Sequence, residues 1–192
     1  MKVFRAVLSA TTLLAIVSPA AHAQIVIEPM VGGYVPASNV NQVTGNASDI
    51  AKTRDGTLSL GLNLGVGMLR GSLAYASGTT IKNADKQEIG KGNVLAAAAD
   101  IVIRPLPRLL VSPYILAGAG EKFYKYDDNG TSFLSGGNDQ DFALHGGLGA
   151  DIMLGPIGAV AELTDFLSKG ADDKWNVHDA FLMVGLRLPL HP

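Results

Sequence analysis

Four carboxylates and three arginines stand out in a chain only 17% charged: Glu28, Asp100, Asp151 and Glu162 against Arg70, Arg104 and Arg187. Held in one enclosed space, such groups do one of two things. They interlock as ion pairs that satisfy each buried charge, or they line a narrow path for ions or protons. His145 offers a different chemistry, because Asp139, Asp141 and Ser135 lie close to it in sequence and an imidazole can act as general base for a hydroxyl nucleophile. No His-Ser pair stands adjacent on a strand, so no catalytic residue is assigned. Asp127-Asp128-Asn129-Gly130 has the composition of a calcium turn but lacks the spacing and closing glutamate of an EF-hand. With no cysteine among 192 residues, disulfides, thiolate zinc sites and iron–sulfur clusters are excluded. No metal and no other cofactor is expected.

Those residues need elements to position them, and the signal is a period of two. From Thr57 to Met68 the even positions are Leu58, Leu60, Leu62, Leu64, Val66 and Met68, while the odd positions are small or polar. Such alternation belongs to a strand with two unlike faces, not to a helix. The same rule gives strands near Ile25–Val35, Thr57–Gly67, Arg70–Gly78, Asn93–Arg104, Leu109–Phe123, Gln140–Leu154, Pro156–Phe166 and Trp175–Leu190. Eight strands result. Their connections alternate between long polar ones (Pro36–Gly56, Thr79–Gly92, Tyr124–Asp139, Leu167–Lys174) and tight ones (Met68-Leu69, Pro105–Arg108, Gly155-Pro156). All long loops therefore fall at one end of an up-and-down sheet.

The start of the chain reads as an address. Lys2 and Arg5 precede an apolar stretch from Ala6 to Val17, then Ser18-Pro19 and Ala21-His22-Ala23, the pattern of a secretory signal peptide cleaved before Gln24. Twelve apolar residues are too few for a transmembrane helix. The expected division is thus a leader over 1–23 and one domain over 24–192. An exported chain with long loops at one end, tight turns at the other and an even number of strands has the layout of a transmembrane β-barrel.

Parity then separates two faces. Glu28, Arg70, Asp100, Arg104, His145, Asp151, Glu162 and Arg187 fall opposite the apolar rows, such as Ile25/Ile27/Val31 and Ala180/Leu182/Val184/Leu186/Leu188. Glu121 breaks the rule near the outer end of its strand, where the cost in lipid falls to about 0–1 kcal/mol. The charged face is the lumen, and Glu28 with Arg187 is the preferred pair because the first and last strands of a closed barrel are neighbours. Gly65, Gly67, Gly118, Gly120, Gly147, Gly149 and Gly185 share the inward parity, leaving room for Tyr114, Phe181, Met183 and the arginines in an interior only wide enough for side chains. None of the G-x-G pairs has the third glycine of a nucleotide-binding loop. Tyr34, Tyr75, Phe123, Phe142, Phe166 and Trp175 gather at the outer ends as a partial aromatic girdle. A soluble lipocalin-like barrel would also alternate, though its charged face need not be sparse and balanced. A formal charge of −2, from 15 Lys and Arg against 17 Asp and Glu, leaves no basic field for nucleic acid.

The stretch Ala99-Asp100-Ile101-Val102-Ile103-Arg104-Pro105-Leu106-Pro107, then Ser112-Pro113-Tyr114-Ile115-Leu116-Ala117-Gly118-Ala119-Gly120 and Tyr124-Lys125-Tyr126, resembles the centre of the small outer-membrane β-barrel domain family. That group includes opacity-type and outer-membrane-protein-A-type barrels. Val184-Gly185-Leu186-Arg187-Leu188-Pro189-Leu190 is similar to its closing strand, with Leu190 standing where members carry an aromatic residue. The resemblance implies an all-β, eight-stranded antiparallel transmembrane barrel in the Gram-negative outer membrane. It also implies partners: outer-membrane lipids including lipopolysaccharide, the barrel-assembly machinery, and an extracellular ligand at loops 36–56, 79–92, 124–139 and 167–174. The expected role is structural or one of surface interaction, without enzymatic activity, and with a lumen plugged by its charges. A deacylase-like lipid-modifying enzyme, a narrow pore and a soluble periplasmic lipocalin-like barrel are the alternatives.

Overall fold

The computed structural model describes residues 24–37, 53–82, 88–106, 110–128, 138–170 and 173–190. The expected leader over 1–23 lies outside the described residues, as do 38–52, 83–87 and 129–137 of the long loops. The strands are β1 (Ile25–Pro36), β2 (Thr53–Arg54), β3 (Thr57–Val66), β4 (Leu69–Lys82), β5 (Glu88–Ile103), β6 (Val111–Asp128), β7 (Asn138–Leu154), β8 (Ile157–Lys169) and β9 (Trp175–Leu190). Eight of them are long. They pair in the order β4-β3-β1-β9-β8-β7-β6-β5, and β5 pairs back onto β4, so the sheet closes with no free edge. Every pairing is antiparallel, and β1 meets β9 from Ile25↔Leu190 to Pro36↔Asp179. The two-residue β2 lies beside the long-loop end of β4.

Two tight turns are Gly67-Met68 and Gly155-Pro156. Gly67, expected on the inward face of a strand, instead occupies the first of these turns with φ of 63°, and Gly155 has φ of 80°. This left-handed backbone is unstrained only without a Cβ. At the long-loop end the strands outrun the alternation: β4 reaches Lys82, β5 starts at Glu88 and β6 reaches Asp128. Much of Thr79–Gly92 and the start of Tyr124–Asp139 are therefore hairpin arms rather than loops. Ladder hydrogen bonds come from the backbone and persist where side chains no longer need an apolar face. A bulge between Ala76 and Thr79 shifts the inward parity from even to odd, so Ala76 and Thr79 are both buried. Gly78 sits in it with φ of 71°, its N–H donating to Asn93 Oδ1 at 3.0 Å.

The apolar rows face outward on every long strand. Leu58 is 78% exposed and Leu148 60%, with Val31, Leu73, Ile101, Ile115, Leu163 and Leu182 exposed around the remaining wall. From Ala180 to Leu190 the outward row of β9 rises about 25 Å along the axis, taking ~3.3 Å per residue and a tilt of ~40°. That is the height of a membrane barrel's apolar band. Inside, Tyr34, Tyr114, Tyr124, Phe166, Phe181 and Met183 are buried with the charged groups. Tyr34 and Phe166, expected in the girdle, thus point into the lumen, as the parity of β1 and β8 demands. Phe142 and Trp175 do face outward and meet edge to face at 6.3 Å.

Candidate functional site: the charged lumen

Arg70 follows the Gly67-Met68 turn and starts the inward row of β4. Its Nη1 donates to Glu162 on β8, which is four strands away in either direction around the circuit. The contact therefore crosses the full width of the lumen. The same nitrogen lies 3.9 Å from Glu28 Oε2, and Arg70 Nε lies 3.6 Å from Asp100 Oδ2. Neutral donors complete these carboxylates. Tyr114 donates its hydroxyl to Glu162 at 2.7 Å, Asn63 Nδ2 donates to Glu28 at 3.2 Å, and Ser72 Oγ donates to Asp100 at 2.6 Å.

Nearer the short-turn end, Arg187 Nη1 donates to Glu28 Oε1 and lies 3.4 Å from Asp151 Oδ2. Arg104 Nε donates to that same Asp151 oxygen at 2.9 Å. The Tyr114 ring supports two of the cations, with Arg104 5.2 Å and Arg70 6.0 Å from its centroid. All seven candidate residues thus face the lumen and each joins at least one ion pair, Glu28 with Arg187 among them. Burying them costs several kcal/mol per ion, which pairing offsets only when hydrogen bonds satisfy the remaining lone pairs.

Glycines make the arrangement sterically possible. A Cβ on Gly149 would come within 2.4 Å of the Tyr114 ring, and one on Gly118 within 2.3 Å of Asp100 Oδ1. Gly149→Val is therefore expected to push Tyr114 off Glu162 and to lower stability by about 1–3 kcal/mol. The midpoint of urea unfolding in lipid vesicles would measure it; an unchanged midpoint would show that the ring moves freely.

A second buried pair went unread in the sequence. Lys122 Nζ donates to Asp179 at 2.7 Å and to the Phe166 carbonyl at 3.2 Å, and the hydroxyls of Tyr34 and Tyr124 also donate to Asp179. Both charges are fully enclosed. The signal was available: Lys122 shares parity with Tyr114 and Gly120 on β6, and Asp179 with Phe181 and Met183 on β9.

His145 lies against Asp100, Nδ1 to Oδ1 at 2.7 Å, and stacks on Phe166 with centroids 4.0 Å apart. Its hydrogen-bonding partner is therefore a lumen carboxylate on β5. Of the groups close to it in sequence, Ser135 lies outside the described residues, as does the side chain of Asp139. Outward at the long-loop end, His178 Nδ1 lies 2.6 Å from Asp165, and Gln140 donates to Glu121 at 2.9 Å. Glu121, the exception to the parity rule, thus has a polar neighbour on the outer wall. Among the described residues, no three His, Cys, Asp or Glu side chains converge as a metal site.

No protein-family model matches the chain, and no curated protein matches it in sequence. Solved structures match it in fold. The outer membrane protein OprG from Pseudomonas aeruginosa superposes with a TM-score of 0.66 at 14% identity, over 88% of this chain and 97% of that one. Neisserial surface protein A gives a TM-score of 0.50 at 14% identity, over 90% of this chain and 100% of that one. The closed circuit of eight antiparallel strands and its likeness to these structures converge: the chain has the fold of the small eight-stranded outer-membrane β-barrels.

Proposed function

We propose that this protein is an integral outer-membrane barrel of a Gram-negative-type envelope, closed to ions by its lumen network, and acting structurally or in surface interaction through its long-loop end. The long loops then face outside and the short turns face the periplasm. Arg70 carries the reading: one side chain spans the lumen from β4 to Glu162 on β8, with Glu28, Asp100 and Tyr114 filling the same cross-section. Its partners are outer-membrane lipids including lipopolysaccharide around the wall, the assembly machinery, and an extracellular ligand at the loops. The apolar rows around the wall support hydrocarbon over water as their surroundings, since soluble monomers seldom expose contiguous apolar patches beyond a few hundred Å².

The outer-membrane fraction should show a band that migrates differently in detergent before and after boiling, and the refolded protein should leave a planar bilayer electrically silent. A steady unit conductance that changes in Arg187→Ala would replace the plug with a pore. A protein found in the periplasm with no heat-dependent shift would overturn the membrane reading. Catalysis is not part of the proposal, because His145 is enclosed between Asp100 and Phe166 with no nucleophile in hydrogen-bond reach among the described residues.

A further inference from the structure

At the short-turn end the lumen opens into a cavity of about 380 Å³ that stops at Arg70. Its lining is mixed. The apolar and roomy part is Val26 and Val102 beside Gly65. A Cβ on Gly65 would meet nothing closer than 3.8 Å, so this glycine leaves open space instead of making way for a neighbour. The charged part is Arg70, Arg104 and Arg187 with the carboxylate Glu28.

The two outer arginines are held and yet underused. Arg104 and Arg187 both reach Asp151 Oδ2, at 2.9 and 3.4 Å, which brings their guanidiniums together. Stacking on Tyr114 sets the place of Arg104, and the bond to Glu28 sets that of Arg187. Each guanidinium has five N–H donors. Arg104 uses Nε and Arg187 uses Nη1, which leaves Nη1 and Nη2 of the first and Nε and Nη2 of the second with no acceptor among the described residues. Deeper in, Arg70 is 3% exposed, and its buried Nε and Nη2 also have no hydrogen-bond acceptor. Planar donors in a fixed fork match a carboxylate, and a cavity of this size accepts a small ligand.

We propose that this cavity is a binding site for a carboxylate with a compact apolar tail, the anion on the free edges of Arg104 and Arg187 and the tail against Val26 and Val102. The site itself rests on the lining alone. That it faces the periplasm rests on the membrane orientation given above. A free organic acid and the carboxy terminus of an apolar peptide share this chemistry.

The test uses the refolded protein in micelles of an uncharged detergent, titrated with hexanoate, N-acetyl-leucyl-leucine or inorganic phosphate. The readout is the side-chain Nε–Hε resonances of Arg104 and Arg187. Saturable shifts are expected with one or both carboxylates, at concentrations about tenfold below any needed with phosphate, and the tighter of the two identifies the source of the ligand. Gly65→Leu fills the cavity beside Val26 and across the ladder from Arg70, while Arg104 and Arg187 keep their own side chains. It should retain the dispersed backbone amide spectrum of the folded protein and lose saturable binding. Arg104→Lys keeps the charge but not the fork, and should weaken binding at least tenfold. Absence of saturation with either carboxylate, equal affinity for phosphate, or unchanged binding in Gly65→Leu would each overturn the proposal. None of these results depends on whether the protein is found in the outer membrane, so the two readings fail separately.

Discussion

Arg70→Ala is expected to destabilise the folded barrel by about 3–5 kcal/mol, the cost of leaving buried charge without its partner. Three carboxylates depend on this one guanidinium. Glu162 loses a direct hydrogen bond, while Glu28 and Asp100 lose a cation 3.9 and 3.6 Å away. Glu28 keeps Arg187 and Asn63, and Asp100 keeps Ser72 and His145, whereas among the described residues Glu162 is left with the Tyr114 hydroxyl alone. Most of the penalty should therefore appear at Glu162. A double-mutant cycle measures this: adding Glu162→Gln to Arg70→Ala should recover a large part of the loss, because the orphaned charge is then gone. Equilibrium urea unfolding in vesicles provides the free energies. A loss below about 1 kcal/mol for Arg70→Ala would put the pair in the class of exposed ion pairs and would contradict an enclosed network.

Leu148→Arg carries the second large effect and tests the wall instead of the lumen. Leu148 stands near the middle of the outward row of β7, opposite Ile115 and Leu163. In hydrocarbon, an arginine there should cost about 2–4 kcal/mol. In water the same change at an exposed leucine would fall within about 0.5 kcal/mol. Gln140→Arg, on the same outward face at the long-loop end, should cost only about 0–1 kcal/mol in vesicles. A gradient between the two positions is the signature of a bilayer. Equal, small losses at both would mean that the apolar rows do not lie against lipid.

The strands and their faces were legible because period two is a local signal: each residue's side is set by its neighbours at two and four positions. It failed only where something local broke the count. The bulge at Ala76–Thr79 shifted parity inside β4, and Gly67 left its row because the turn began one residue earlier. Strand ends above the apolar band were also unreadable, since Lys82, Glu88 and Asp128 pair through backbone groups that carry no residue signature. Tyr34 and Phe166 show the opposite error. Their parity was readable, but aromatic character near a strand end suggested a girdle when the lumen held them.

Which charges meet is a different kind of fact. Glu28 with Arg187 could be anticipated from closure alone, because the first and last strands of a barrel must be neighbours. Arg70 with Glu162 could not, since 92 positions and half the circuit of strands separate them. Nor could the shared use of Asp151 by Arg104 and Arg187, or the enclosure of Lys122 with Asp179, Tyr34 and Tyr124. Alternation along each strand sorts lumen side chains from wall side chains, except past the bulge at Ala76–Thr79. Partner choice within the lumen arises only on closure, since contacts across a closed barrel depend on strand tilt, on stagger and on the space left by Gly118 and Gly149, quantities that no local period encodes.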